Sequence, residues 1–216
     1  MIKTGLKELD KFLGGGINEG LITSISGQSA TGKTQLVFQI CINALHSGKD
    51  ILFQDTTGDF RPERLVEMMQ LQKINPSLLD TIKVSRVTNT AQQIQYLSKT
   101  SLKNYSLIIV DHVTDLFSFE YSKNEQSFEK HISFMKYMHS LSSIAINRKI
   151  PIIVTNIVRT IDKREKENLE ESISMYTHTK IKLSKGDNGY FCQAISPFDN
   201  KKFQYTITSR GITDQP

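Results

Sequence analysis

An eight-residue stretch near the start of the chain, GQSATGKT at residues 27–34, constrains the fold more than any other feature. Gly27 and Gly32 permit a tight backbone turn whose N–H groups can converge on one point, and Lys33 and Thr34 follow at once. This is the pattern of a phosphate cradle, in which the lysine reaches the outer phosphates and the hydroxyl ligates Mg²⁺. The cradle works only when a strand feeds it and a helix leaves it. LITSIS, residues 21–26, is an apolar strand-like run, and QLVFQICINAL, residues 35–45, has helical periodicity. We therefore assign Gly27, Gln28, Ser29, Ala30, Thr31, Gly32, Lys33 and Thr34 to nucleotide contact, with ATP and Mg²⁺ as the expected ligands. A helix beginning near Lys33 adds a favourable dipole for an anion.

Around this loop, apolar runs of strand length alternate with helix-length segments, which predicts an α/β fold with a mostly parallel sheet and helices on both faces. Strands are expected at 21–26, 50–54, 82–85, 106–111 and 150–156, and helices at 33–47, 62–71, 90–101 and 126–147. Beyond Ser172 the pattern changes to three antiparallel strands, 180–185, 190–196 and 203–208, with Gly186-Asp187-Asn188-Gly189 as a hairpin turn. The polar segment 160–172 (TIDKREKENLEES) reads as a mobile loop or short exposed helix. Asp111 ends the apolar strand SLIIVD, where ligands gather in open α/β sheets, and is the second candidate metal residue.

Composition bounds the partners. The 216 residues suffice for one domain with a sizeable core, and no apolar run approaches membrane-spanning length. The net charge of +5 permits nucleic-acid contact without requiring it. Cys41 and Cys192 form no redox or metal spacing, which points to a reducing, cytoplasmic compartment.

Several stretches together resemble the RecA/RadA recombinase superfamily, closest to its short archaeal RadB-like paralogues. They are TGLKELDKFLGGGINEG (4–20), GKTQ (32–35), FRPERL (60–65), LIIVDHVTDLF (107–117), PIIVTNIVRT (151–160) and SRGITD (209–214). The resemblance implies a single RecA-like ATPase core with a P-loop and a C-terminal antiparallel extension. It adds Gln35 and Arg64 to the nucleotide contacts, the latter stacking near the base. Met1 lies directly before this core, so the N-terminal helical DNA-binding domain of full-length recombinases is expected to be missing. The implied role is to bind single-stranded DNA and assist a full-length RadA-type recombinase in recombination and repair, with self-association left open. KaiC-like signalling ATPases share the GGGI entry but not FRPERL or VTNIVRT.

Two positions depart from an active member of this superfamily. Thr57 stands where the family has the glutamate that polarises the attacking water, and a threonine hydroxyl cannot act as a base at neutral pH. Ile157 stands where the family has a glutamine that senses the γ-phosphate. Asp59, two residues after Thr57, is the candidate substitute. The expectation is ATP binding with weak or absent hydrolysis, and a DNA-dependent ATPase acting as a minimal recombinase is the alternative. Two loops resemble the family's DNA-binding loops: 118–127, with Tyr121 and Lys123, and 158–172, with Arg159, Lys163, Arg164 and Lys166. The second also carries Glu165, Glu167, Glu170 and Glu171, so its charges nearly cancel.

Overall fold

A computed structural model of the protein describes residues 1–99, 104–123, 126–161, 164–197 and 200–214. Six strands run parallel: β1 (Ile22–Gly27), β2 (Asp50–Asp55), β3 (Ile82–Arg86), β4 (Tyr105–Asp111), β5 (Ile152–Ile161) and β7 (Thr179–Gly186). They lie in the order β7-β1-β5-β4-β2-β3. From β7 the sheet continues antiparallel through β8 (Gly189–Ser196), β9 (Lys201–Thr208) and β10 (Gly211–Asp214). A short strand, β6 (Arg164–Glu167), pairs antiparallel with the outer half of β5 and lies off this path. The α/β fold with a parallel centre and an antiparallel C-terminal extension is as the sequence predicts.

The doubly apolar strands follow from helices on both faces. Along β4 and β5 alternate residues enter different cores: Leu107, Ile109 and Ile153 pack with helices α2 (Lys33–Ala44) and α3 (Pro62–Leu71). Ile108, Val110, Ile152 and Val154 pack on the other side, against Phe134, Tyr137 and Leu141 of α6 (Ser127–Arg148). A strand buried on both faces needs apolar residues at every position, which is why these runs lack alternation. Short helices complete the chain: α1 (Lys7–Phe12), α4 (Thr90–Lys99), α5 (Asp115–Glu120) and α7 (Glu170–Ser174).

One expectation is corrected. The segment 160–172 is neither a loop nor a single helix. The β-branched run through Thr160 keeps β5 extended to Ile161, and the charged REKE stretch, Arg164–Glu167, supplies its antiparallel partner before α7 begins. Charge content suggested a solvated surface, and a two-stranded ribbon satisfies that while using the strand propensity of Ile157, Val158 and Thr160. Short elements such as α1, α5 and β10 were too brief to stand out as periodic patterns.

The chain's two ends are tied together beside α2. Buried Gln39 donates to the Thr4 carbonyl (3.1 Å) and accepts from the Ile212 N–H (2.9 Å). Both Gly5 and Gly211, at positive φ, lie so close to this amide that a Cβ on either would overlap it (2.4 and 2.2 Å). Gln39→Ala would strand one buried carbonyl and one buried N–H, at about 1–3 kcal/mol each. The expected outcome is a loss of about 2–6 kcal/mol in urea unfolding, with the m-value unchanged.

Candidate nucleotide site and nucleic-acid face

Gly27 at the end of β1 is in register with Ile157 of β5, and Asp55 at the end of β2 with Asp111 at the end of β4. The β4–β5 register carries Asp111 to Thr155, two residues before Ile157, so the phosphate loop that follows Gly27 rises just above the two aspartates. A Cβ at Gly27 would sit 2.3 Å from the Leu183 carbonyl oxygen of β7, so only glycine fits there. Gly32, at φ +87°, caps α2, and a Cβ on it would press Ile207 and Ile212 at 3.1 Å. From beneath, the Tyr205 hydroxyl donates to the Thr31 carbonyl at 2.5 Å. Lys33 is buried, and its Nζ donates to the carbonyls of Gly27 and Gln28, each at 2.9 Å. Burial pulls its pKa below the usual lysine range, opposed by the Asp111 and Asp115 carboxylates.

Above the loop lies a cleft of about 300 Å³, with Lys33, Thr34 and Gln35 on one side and Asp59, His112 and Ile157 on the other. Asp111 lies just below, 1% exposed. Its Oδ1 accepts from Thr155 Oγ1 at 2.5 Å, and its Oδ2 is 3.4 Å from Thr34 Oγ1. Burial pushes the Asp111 carboxyl above the ordinary carboxylate range, opposed by His112, the Thr155 hydrogen bond and Lys33. A threonine hydroxyl beside a carboxylate is an all-oxygen donor set, the kind a hydrated Mg²⁺ takes, and the glycine cradle beside it fits a triphosphate. The residues present therefore fit ATP and Mg²⁺.

The wall that carries Thr57 and Asp59 is built differently. Asp55 holds the following loop through its carboxylate, accepting from the N–H groups of Thr57 (3.2 Å), Gly58 (2.8 Å), Asp59 (3.3 Å) and Phe60 (3.2 Å). The Thr57 hydroxyl also leans on Asp55, at 3.5 Å. The Asp59 side chain, 65% exposed, lines the cleft and lies 3.8 Å from Arg61. His112, at φ +58°, lines the cleft too, its backbone fixed by Thr155 Oγ1 and Thr56 Oγ1. Burial lowers its pKa, and Asp115 and Asp111 more than offset this, for a net upward shift. The sequence offered no signal that His112 would face the cleft, since its position depends on the left-handed turn after β4. Arg64 is absent from the residues lining the cleft. Its guanidinium is spent on Gln35 (3.0 Å), Glu67 (2.5 Å) and the Thr208 carbonyl (3.0 Å), which makes it a tie between α3, α2 and β9.

The ribbon β5–β6 sorts its charges by strand parity. Arg159 pairs opposite Lys166, so both point to one face. Both line a second cleft of about 530 Å³, joined by Lys130 and His131 from the first turns of α6. By strand parity Glu165 and Glu167 leave the ribbon on the other face, although Glu167 also lines the cleft. Glu165 accepts from Gln28 of the phosphate loop (3.1 Å) and from Lys182 (2.5 Å). Glu167 accepts from Asn156 Nδ2 at 2.9 Å, and burial raises its pKa against that hydrogen bond. Glu170 and Glu171 line the cleft too, so its walls mix cations with acids. Of the remaining sequence candidates, Lys123 is exposed between α5 and α6, and Tyr121 is half-buried against the α6 core. Arg164 pairs with Ile161 in the ribbon, and Lys163 lies outside the described residues. Lys130 and His131 were missed, because their helix reads as a core element and only packing shows which end meets the ribbon.

Among the described residues, no helix is long and apolar enough to cross a membrane. The sequence model of the Rad51 family matches residues 1–215. The chain is 31% identical to the DNA repair and recombination protein RadB of Thermococcus kodakarensis, over 99% of each. It is 31% identical to the DNA repair protein RAD51 homolog of Solanum lycopersicum, over 99% of this chain and 69% of that one. Against the DNA repair and recombination protein RadA of Cenarchaeum symbiosum it is 33% identical, over 73% of this chain and 42% of that longer protein. With a phosphate loop on a RecA-like sheet and a match along nearly its whole length, the chain belongs to the Rad51 family.

Proposed function

We propose that this protein binds ATP with Mg²⁺ and single-stranded DNA, and assists a full-length RadA-type recombinase in homologous recombination and repair while hydrolysing ATP slowly or not at all. The observation that carries this reading is the split character of the nucleotide cleft. Its binding half keeps every residue of the phosphate cradle, with Lys33 bonded to the Gly27 carbonyl and Thr34 3.4 Å from Asp111. Its water-activating half has a threonine hooked onto Asp55 and an apolar side chain at Ile157. Bound Mg²⁺–ATP supplies an activated phosphoryl group and a divalent charge. Lys33 holds its outer phosphates, Thr34 and Asp111 hold the metal, and the loop N–H groups orient it. Loss of a general base typically costs about 10²–10⁴-fold, while binding energy from the cradle survives.

The cationic face of the ribbon supports the DNA half of the proposal. Arg159, Lys166 and Lys130 converge on one cleft; Glu165 is turned to Gln28 and Lys182, while Glu167, Glu170 and Glu171 line the cleft beside the cations. The Gln28–Glu165 hydrogen bond ties the phosphate loop to that ribbon. A DNA-dependent ATPase is the second reading, favoured by one observation: Asp59 lines the phosphate cleft.

ATP turnover, measured with and without single-stranded DNA, is expected to match a Lys33→Ala blank while a fluorescent ATP analogue still binds. Turnover of roughly 1 per second, typical of active kinases, that collapses in Asp59→Asn would establish the second reading instead. Tyr205→Phe removes the donor beneath Thr31 and is expected to weaken analogue binding about 2–10-fold. In Arg159→Ala/Lys166→Ala, affinity for a single strand should drop and the log–log salt slope should flatten by about 1.4, roughly 0.7 per lost phosphate contact. An unchanged slope in that variant places DNA elsewhere.

A further inference from the structure

We propose that Thr155 of β5 is a positioning residue for the metal site, aiming the Asp111 carboxylate toward Thr34. The proposal rests on the reading of Thr34 and Asp111 as metal ligands and deepens it. No motif points to Thr155, because it lies on a different element from both ligands and meets them only through the register of β4 and β5.

Thr155 is fully buried, and its hydroxyl is committed on two sides. Oγ1 accepts from the His112 N–H at 2.8 Å and lies 2.5 Å from Asp111 Oδ1. A hydroxyl carries one hydrogen, and an N–H can only donate to it, so that hydrogen is left for the carboxylate. Branching at Cβ stiffens χ1, which presets the direction of the hydroxyl before a ligand arrives. The backbone adds a second hold, because the Thr155 carbonyl accepts from the Val113 N–H at 2.9 Å. The left-handed turn at His112, φ +58°, is thereby fixed from β5 directly after Asp111.

The two carboxylate oxygens are divided as a result. Oδ1 is occupied by Thr155, and Oδ2 faces Thr34 Oγ1 at 3.4 Å. Asp111 is 1% exposed, so little water can replace a lost donor, and a buried carboxylate without one is costly. Thr56 grips the same turn from the β2 side, with its Oγ1 2.9 Å from the carbonyl oxygens of Asp111 and His112. Those contacts are with the backbone. Thr155 is the hydroxyl that sets the direction of the carboxylate itself. Hydrogen-bond partners that lie outside a metal's own ligands commonly act this way, orienting the ligand and raising affinity.

The Mg²⁺ dependence of nucleotide binding tests this without any turnover. A fluorescent ATP analogue is titrated onto each protein at rising MgCl₂ and again in EDTA. Thr155→Val keeps the shape and removes the hydroxyl. It is expected to raise the MgCl₂ needed for half-maximal binding by about 10–100-fold, the range for losing a partner of a metal ligand. Its binding in EDTA should match that of the wild type. Thr155→Ser returns the donor and should recover most of the shift. Thr56→Val loosens the same turn without touching the carboxylate and should keep the wild-type Mg²⁺ dependence. If Thr155→Val does not fold, Thr155→Cys, whose thiol is a weak donor, replaces it with the same expected direction of shift. An unchanged Mg²⁺ dependence in the folded Thr155 variant would overturn the positioning role. So would an equal shift in Thr56→Val, or equal weakening with and without Mg²⁺, each the mark of a structural residue. Wild-type binding that is indifferent to Mg²⁺ would overturn the metal reading itself.

Discussion

The phosphate loop stands on a backbone contact that no side chain could share. Gly27 approaches the Leu183 carbonyl so closely that a methyl group would collide with it. This contact fixes the height of the loop above the sheet. The antiparallel strands that follow β7 then complete the support: Tyr205 holds the Thr31 carbonyl, and Ile207 and Ile212 press on Gly32. These strands carry no chemistry of their own. They set the geometry in which Lys33 and Thr34 meet Asp111, and Gln39 binds them back to the start of the chain.

The cleft built on this base is asymmetric. Where phosphates and metal would be held, Lys33 and Asp111 are both buried, and burial pulls the lysine pKa down and pushes the carboxyl up. On the opposite wall Asp55 uses its carboxylate to hold a loop in shape. That loop presents Thr57 to Asp55 and Asp59 to the cleft. Charge complementarity of a phosphate cradle survives changes that remove a water-polarising group, which is why the two walls of the cleft can differ so much.

The ribbon shows how local charge can mislead. Read as a string, residues 159–171 hold nearly balanced charge. Read as a strand pair, Arg159 and Lys166 share one face while Glu165 and Glu167 share the other. Glu165 is occupied by Gln28 and Lys182, and Glu167 by Asn156. Arg159 and Lys166 are thus brought together on one side of the cleft, whose lining also carries Glu167, Glu170 and Glu171.

Much was legible beforehand. The glycine spacing, the apolar runs and Asp111 at a strand end determined a phosphate loop on a parallel sheet, because these requirements are local: a turn needs glycine, and a doubly buried strand needs apolar residues throughout. The altered residues at 57 and 157 were also visible as single letters. Tertiary structure alone decided what those letters face. It turned Thr57 onto Asp55, spent Arg64 on three protein acceptors and brought His112 to the cleft through a left-handed turn. It also buried much of Tyr121 while leaving Phe119 and Phe128 in solvent. The physical reason is common to all of them. The direction of a side chain depends on the parity of its strand or the phase of its helix, and on which neighbours pack there, and neither is encoded in the residue's identity.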